Sequence, residues 1–195
     1  MTDTLLLVAV FWAAINPPAS LASLPDSFEG VERRRRTAML IAGWVVAVAL
    51  LALAVVLRQP FLDLLEVSAS SFDIAAGIVM LAGAWRPLLR GRAIEEATAS
   101  LLDPSPRAAL APLAVPLLAS PAALAAAIAY GERASEGATI AVALIVAGVA
   151  ALPMASEPVL RSRHRQPIAG ALARLTGALL VAVAVRLIVD GVLNV

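Results

Sequence analysis

Two short segments carry the residue types best suited to holding a small polar ligand. They are Ala13–Pro25, AAINPPASLASLP, and Ala119–Ala127, ASPAALAAA. Each places a capping side chain directly before proline: Asn16 before Pro17 and Pro18, and Ser120 before Pro121. Asn and Ser are preferred N-caps, and Pro is preferred at the first helical position. Both segments therefore read as the start of a new helix. A helix N-terminus offers backbone N–H groups and about half a positive charge, a setting that suits a carboxylate or another electronegative group. Asn16, Pro17, Pro18, Ser120 and Pro121 are accordingly the candidate substrate-binding residues, the caps touching the ligand and the prolines setting the breaks. Arg174 and Thr176, in ARLTG, are further candidates for substrate or gating contacts. For Arg174, snorkelling to the inner headgroups is an equal alternative.

The remaining charged groups within apolar sequence are Asp73, in SSFDIAAG, and Arg186 with Asp190, in VRLIVDG. Four residues separate Arg186 from Asp190, which puts them on one helix face as an ion pair. Asp73 lies at a similar depth. It is a candidate either for proton coupling or for pairing with Arg186 across helices. The chain has no cysteine, and its one histidine, His164, lies in the basic stretch RSRHRQ, where it reads as a solvated loop residue. No pair of central carboxylates is available for metal binding or acid–base work. The expectation is a protein that is not an enzyme and carries no metal or cofactor.

The elements that position these residues are membrane spans. Of the 195 residues, 61% are hydrophobic, well above the ~45–50% of soluble domains. Thr37–Leu57, Ala108–Gly131 and Gly137–Ser156 carry no charge, and each is close to the ~20 residues that cross a bilayer. Six spans are expected, near 4–26, 37–57, 67–89, 108–130, 137–157 and 168–193. The opening residues MTDT carry Asp3 and no positive charge, so the first apolar run reads as a span rather than a cleaved signal. All basic residues are Arg. Arg33–Arg36, the group Arg86, Arg90, Arg92 and Arg107, and the group Arg161, Arg163 and Arg165 fall in alternate loops, whereas the opposite loops hold Arg58 and Arg133. Positive-inside bias places the three basic loops in the cytoplasm and both termini outside it. The RRRR run reads as a topology anchor, with no nucleic-acid partner expected.

The two halves repeat. Pro17 aligns with Pro121, Gly43 with Gly148 and Gly77 with Gly177, at offsets near 100 to 105 residues. Three spans per copy put the second copy in the opposite orientation, an inverted repeat of the kind that places substrate near the midplane between interrupted helices. The expected fold is all-α: a single membrane domain over 1–195 with six transmembrane helices as a 3+3 inverted repeat. Repeat 1 covers about 1–90, a linker about 91–107 and repeat 2 about 108–195, with helices 1 and 4 broken.

FWAAINPPASLASLP, LEVSASSFDIAAGIVMLAGA, APLAVPLLASPAALAAAI and ALARLTGALLVAVAVRLIVDGV together resemble the MarC family of bacterial membrane proteins, over nearly the whole chain. That family's wording is close to N-P-x-G and P-L-A-I-P-L-L-A-G-P-G. Here Ala19, Ser120 and Ala122 stand where the pattern has Gly, and Asp73 stands where it is often basic. The resemblance implies a LysE-like transporter plan and transport of a small solute, with a neutral amino acid as the substrate. The resemblance also implies a bacterial inner-membrane location; the expected partners are that solute and the bilayer, with a homo-oligomer left open. A passive channel is the alternative, because aquaporins also oppose two half-helices at Asn-Pro-Ala motifs.

Overall fold

The computed structural model describes residues 2–23, 32–93, 115, 117–131, 135–155 and 166–194. The expected linker beyond residue 93 and the start of the fourth span lie outside the described residues. In chain order the helices are α1 (Thr2–Ile15), α2 (Pro17–Ser23), α3 (Arg33–Val56), α4 (Arg58–Leu64), α5 (Ala69–Arg90), α6 (Pro121–Tyr130), α7 (Glu136–Ala155) and α8 (Gln166–Leu193). Among the described residues there is no strand.

Among the described residues four stretches are long and apolar enough to cross a bilayer: Thr4–Ser23, Arg33–Val56, Ala69–Arg90 and Pro167–Leu193. Pro121–Tyr130 and Glu136–Ala151 are shorter apolar helices. The burial pattern shows what solvates them. In α3 the buried residues Arg36, Leu40, Gly43, Ala47, Leu51 and Val55 recur every three or four positions, so they form one stripe. The other face is not polar: Ile41 and Leu53 are 58% and 52% exposed. The same holds for Ile78 on α5, Ile145 on α7 and Leu175 on α8, all more than half exposed. In water such continuous apolar surface would drive association; lipid is its natural solvent. The chain is a multi-pass membrane protein.

The most extensive packing joins α5 to α8. The buried face of α5 is Ala76, Gly77, Met80, Ala84 and Pro87, and that of α8 includes Ala173, Thr176, Leu180, Ala184 and Leu187. Small residues let the two backbones approach, which drives helix association where apolar burial cannot. A Cβ on Gly77 would lie 2.5 Å from Ile188 Cγ1 and 2.7 Å from the Ala184 carbonyl oxygen. A Cβ on Gly177 would lie 2.9 Å from the Leu88 backbone nitrogen. A Cβ on Gly191 would lie 2.7 Å from the Ser70 carbonyl oxygen, and one on Gly91 would lie 2.8 Å from that of Gly170. Partner numbers fall on one helix as they rise on the other, so the pair is antiparallel along its whole length. Among the other contacts, α3 and α1 pack on α7, α2 packs on α8 while α6 packs on α5, and α2 also packs on α7 while α6 packs on α3.

One element differs from expectation. The stretch 58–66 falls between the expected spans 37–57 and 67–89 as the loop that holds Arg58, yet Arg58–Leu64 is helical. Pro60 sits in the first turn, where its missing N–H costs nothing. Gln59 Nε2 donates to Asp63 Oδ1 at 3.1 Å, one turn on. Only Leu62 is buried, and Phe61, Leu64 and Leu65 are exposed.

The pair expected between Arg186 and Asp190 is present, with Arg186 Nε 3.8 Å from Asp190 Oδ2. Arg186 thus pairs within α8. The arginine is 58% exposed.

Candidate functional site

The first break is a single residue wide. The α1 helix closes with Asn16 N–H donating to the Trp12 carbonyl at 2.9 Å. Asn16 then takes φ +48°, a left-handed conformation that few residues besides Gly and Asn adopt without strain. Pro17 starts α2. Because Pro17 and Pro18 have no N–H, the carbonyls of Ala13 and Ala14 lose their usual helical donors. Asn16 repairs the other side of the break. Its Oδ1 accepts from Ala19 N–H at 3.1 Å. Its backbone oxygen accepts from Ala19 and Ser20 N–H at 3.0 and 3.1 Å. Its Nδ2 donates to the Ala173 carbonyl of α8 at 3.3 Å.

The second break also sets a capping residue before a proline, on a different backbone. Leu117 and Leu118 lie in a wide π-helical turn, and Ser120 is extended, with φ −65° and ψ 154°. Pro121 opens α6. Ser120 Oγ accepts from Ala123 N–H at 3.0 Å and donates to the Ala14 carbonyl at 3.0 Å. That carbonyl is one that Pro18 had left without its helical donor. The Ser120 hydroxyl therefore caps its own helix and completes the end of α1 at once. It also joins the two breaks directly.

From this junction the half-helices run apart. Ala22, near the end of α2, lies with Arg90, Gly91 and Pro167 at one end of the bundle. Gly131, at the end of α6, packs near Val55 and Arg58. The N-termini of α2 and α6 are thus adjacent and their C-termini distant. Their partial positive charges fall at the same place.

Asn16, Pro17 and Pro18 are buried, Ser120 is half-buried and Pro121 is exposed. Thr176 is buried, and its hydroxyl donates to the Leu172 carbonyl one turn back at 2.8 Å. The Asn16–Ala173 bond brings the first break to the α8 turn that carries Arg174 and Thr176. The Arg174 side chain itself lines a cleft with Ala22, at the far end of α2 from Pro17. Asp73 is half-buried on α5 next to Ile74, which packs on Gly191, well removed from the junction. The expectation of open amide donors is not met at α2. Two of its first donors are absent in the prolines, and Asn16 takes the next two.

Three polar groups near these elements escaped the sequence reading. Ser20 is fully buried, and its Oγ has no hydrogen-bond partner. It follows Asn16 by one turn, a spacing that places both on one face of α2. Trp44 Nε1 is likewise buried without a partner, and it lies 3.8 Å from where a Cβ on Gly148 would be. Ser23 Oγ donates to the Ala19 carbonyl at 2.7 Å and accepts from Ala93 N–H at 2.9 Å, tying the turn after α5 to α2.

No curated protein and no solved structure matches the chain. The family model described as MarC family integral membrane protein matches residues 1–195, and with its paired helix breaks and lipid-facing spans the chain belongs to that family.

Proposed function

We propose that this protein is a secondary transporter of small amino-acid-like solutes, built as a six-span inverted repeat and holding its substrate between the N-termini of α2 and α6. The observation that carries the reading is the junction itself: two capped half-helices joined by the Ser120–Ala14 bond. The reciprocity of contacts supports the repeat. Gly77 meets Ile188 while Gly177 meets Leu88, and Gly91 meets Gly170 while Gly191 meets Ser70. Each pair maps onto the other by a shift of about 100 residues, the relation expected of a twofold axis in the membrane plane. The reading keeps both termini outside the cytoplasm and assigns the chain no reaction.

In the state described, the junction is closed. Asn16 is 3% exposed, and Ala13, Ala119 and Ala123 are fully buried. A closed junction is one state of an alternating-access cycle. The donors best placed for a substrate carboxylate are side chains: Asn16 Nδ2 and Ser120 Oγ now donate to backbone carbonyls, and a carboxylate would take their place. The prolines fix the breaks, and Arg174 and Thr176 sit on the turn that Asn16 holds.

The test is a melting screen of the purified protein against each neutral amino acid at millimolar concentration. A ligand at ten times its Kd adds about 1.4 kcal/mol of apparent stability. At least one amino acid is expected to raise the melting temperature, and Asn16→Ala to abolish that shift. No shift with any amino acid, from protein that melts cooperatively, removes this substrate class. Fast, non-saturable flux in proteoliposomes removes the transporter mechanism.

A further inference from the structure

At the end of the bundle where α2 and α5 finish and α8 begins lies a cleft of about 360 Å³. Ala22, Arg90, Gly91, Arg92, Pro167, Gly170 and Arg174 line it. Three of these seven residues are arginines, and none is acidic. Arg92 and Arg174 are exposed, and among the described residues neither is held by a carboxylate. The walls are fixed. Gly91 ends α5 with φ +67° and sits against the Gly170 carbonyl, so no side chain fits between them. Ser23 holds Ala93 N–H at 2.9 Å and pins the turn that carries Arg92 to α2. Guanidinium groups on rigid backbone suit a tetrahedral oxyanion, which they grip with paired N–H donors. Basic clefts between the ends of membrane helices are also where phosphate-bearing headgroups lodge.

We infer that Arg92 and Arg174, with Arg90, form a binding site for a phosphate-bearing anion, supplied either by an anionic lipid headgroup or by a soluble phosphate. The site is separate from the helix breaks and does not depend on an amino acid being carried. Occupied, it would clamp α5 to α8 at the end where Gly91 and Gly170 touch.

Melting is measured in neutral detergent with inorganic phosphate or pyrophosphate against chloride at equal ionic strength. It is measured again in nanodiscs of phosphatidylglycerol against phosphatidylcholine. A rise with phosphate assigns the site to soluble phosphates, and a rise with phosphatidylglycerol alone assigns it to a headgroup. The double variant Arg92→Gln/Arg174→Gln should weaken the responding ligand at least about tenfold. Arg174→Lys should fall between it and the wild type, because it keeps the charge but loses the paired donors. Arg186→Gln, near the opposite end of α8, should leave the response unchanged. If the double variant melts early in chloride, Arg92→Gln alone carries the comparison. The inference is overturned if neither phosphate nor phosphatidylglycerol raises melting, or if the glutamine variants respond as fully as the wild type. A loss of amino-acid binding in Asn16→Ala with the anion response intact would separate the two sites.

Discussion

Ser120→Ala should destabilise the protein by about 1.5–5 kcal/mol, the sum of a lost helix cap at ~0.5–2 and an orphaned buried carbonyl at ~1–3. Hydrogen bonds between membrane helices usually contribute less, about 0.6 kcal/mol, because a separated helix finds other partners for its polar groups. The acceptor here is unusual. The Ala14 carbonyl has lost its own helical donor to Pro18, so within hydrocarbon the Ser120 hydroxyl at 3.0 Å is its partner. Two further variants separate the contributions. Ser120→Gly keeps most of the capping preference, so its cost, about 1–3 kcal/mol, isolates the Ala14 link. Ser120→Thr keeps both bonds and should melt within about 1 kcal/mol of the wild type. The measurement is reversible melting or denaturant unfolding in mixed micelles. A glycine variant as stable as the wild type would mean that the Ser120–Ala14 bond does not hold the breaks together.

That bond marks the boundary of what the sequence could tell. The breaks were legible because their signals are local: a capping residue, then a proline, twice, inside apolar text. The fate of each donor was not. Ser120 and Ala14 are 106 residues apart, and no local pattern pairs a hydroxyl with a distant carbonyl. The second proline of Asn16-Pro17-Pro18 did carry the information that α2 has few amides to offer, since each proline removes one donor and frees one acceptor. The arginines were legible as topology signals, because charge is counted loop by loop. Their convergence on one cleft depends on how α2, α5 and α8 end together. Ser20 and Trp44 were missed for a related reason. A lone hydroxyl or indole in an apolar helix carries no periodic signal, and its lack of a partner is visible only once the neighbours are in place. The glycines lie between these cases. Their alignment pointed to close packing, and the structure supplies the backbone atoms they touch.

Those contacts give the second large effect. Gly77→Val and Gly177→Val should each destabilise by about 3 kcal/mol, at or beyond the upper end of ordinary overpacking. A flexible side chain can yield to an added methyl, but backbone cannot. A Cβ on Gly77 meets the Ala184 carbonyl at 2.7 Å, and one on Gly177 meets the Leu88 nitrogen and Cα at 2.9 and 3.2 Å. Relief requires α5 and α8 to move apart, which loosens every small-residue contact along the pair. The double variant should cost less than the two singles together, since the first separation already makes room for the second. Gly148→Ala is the opposite case. Its nearest foreign atom is Trp44 Nε1 at 3.8 Å, an ordinary contact. Alanine there should be neutral or add up to about 1 kcal/mol through helix propensity. Melting temperatures of the four variants in one detergent check all of this. Because the proposed axis exchanges Gly77 with Gly177, their valine variants should cost nearly the same. A large inequality, with one tolerated and the other not, would argue that the two halves are packed independently and that the reciprocity of their contacts is fortuitous.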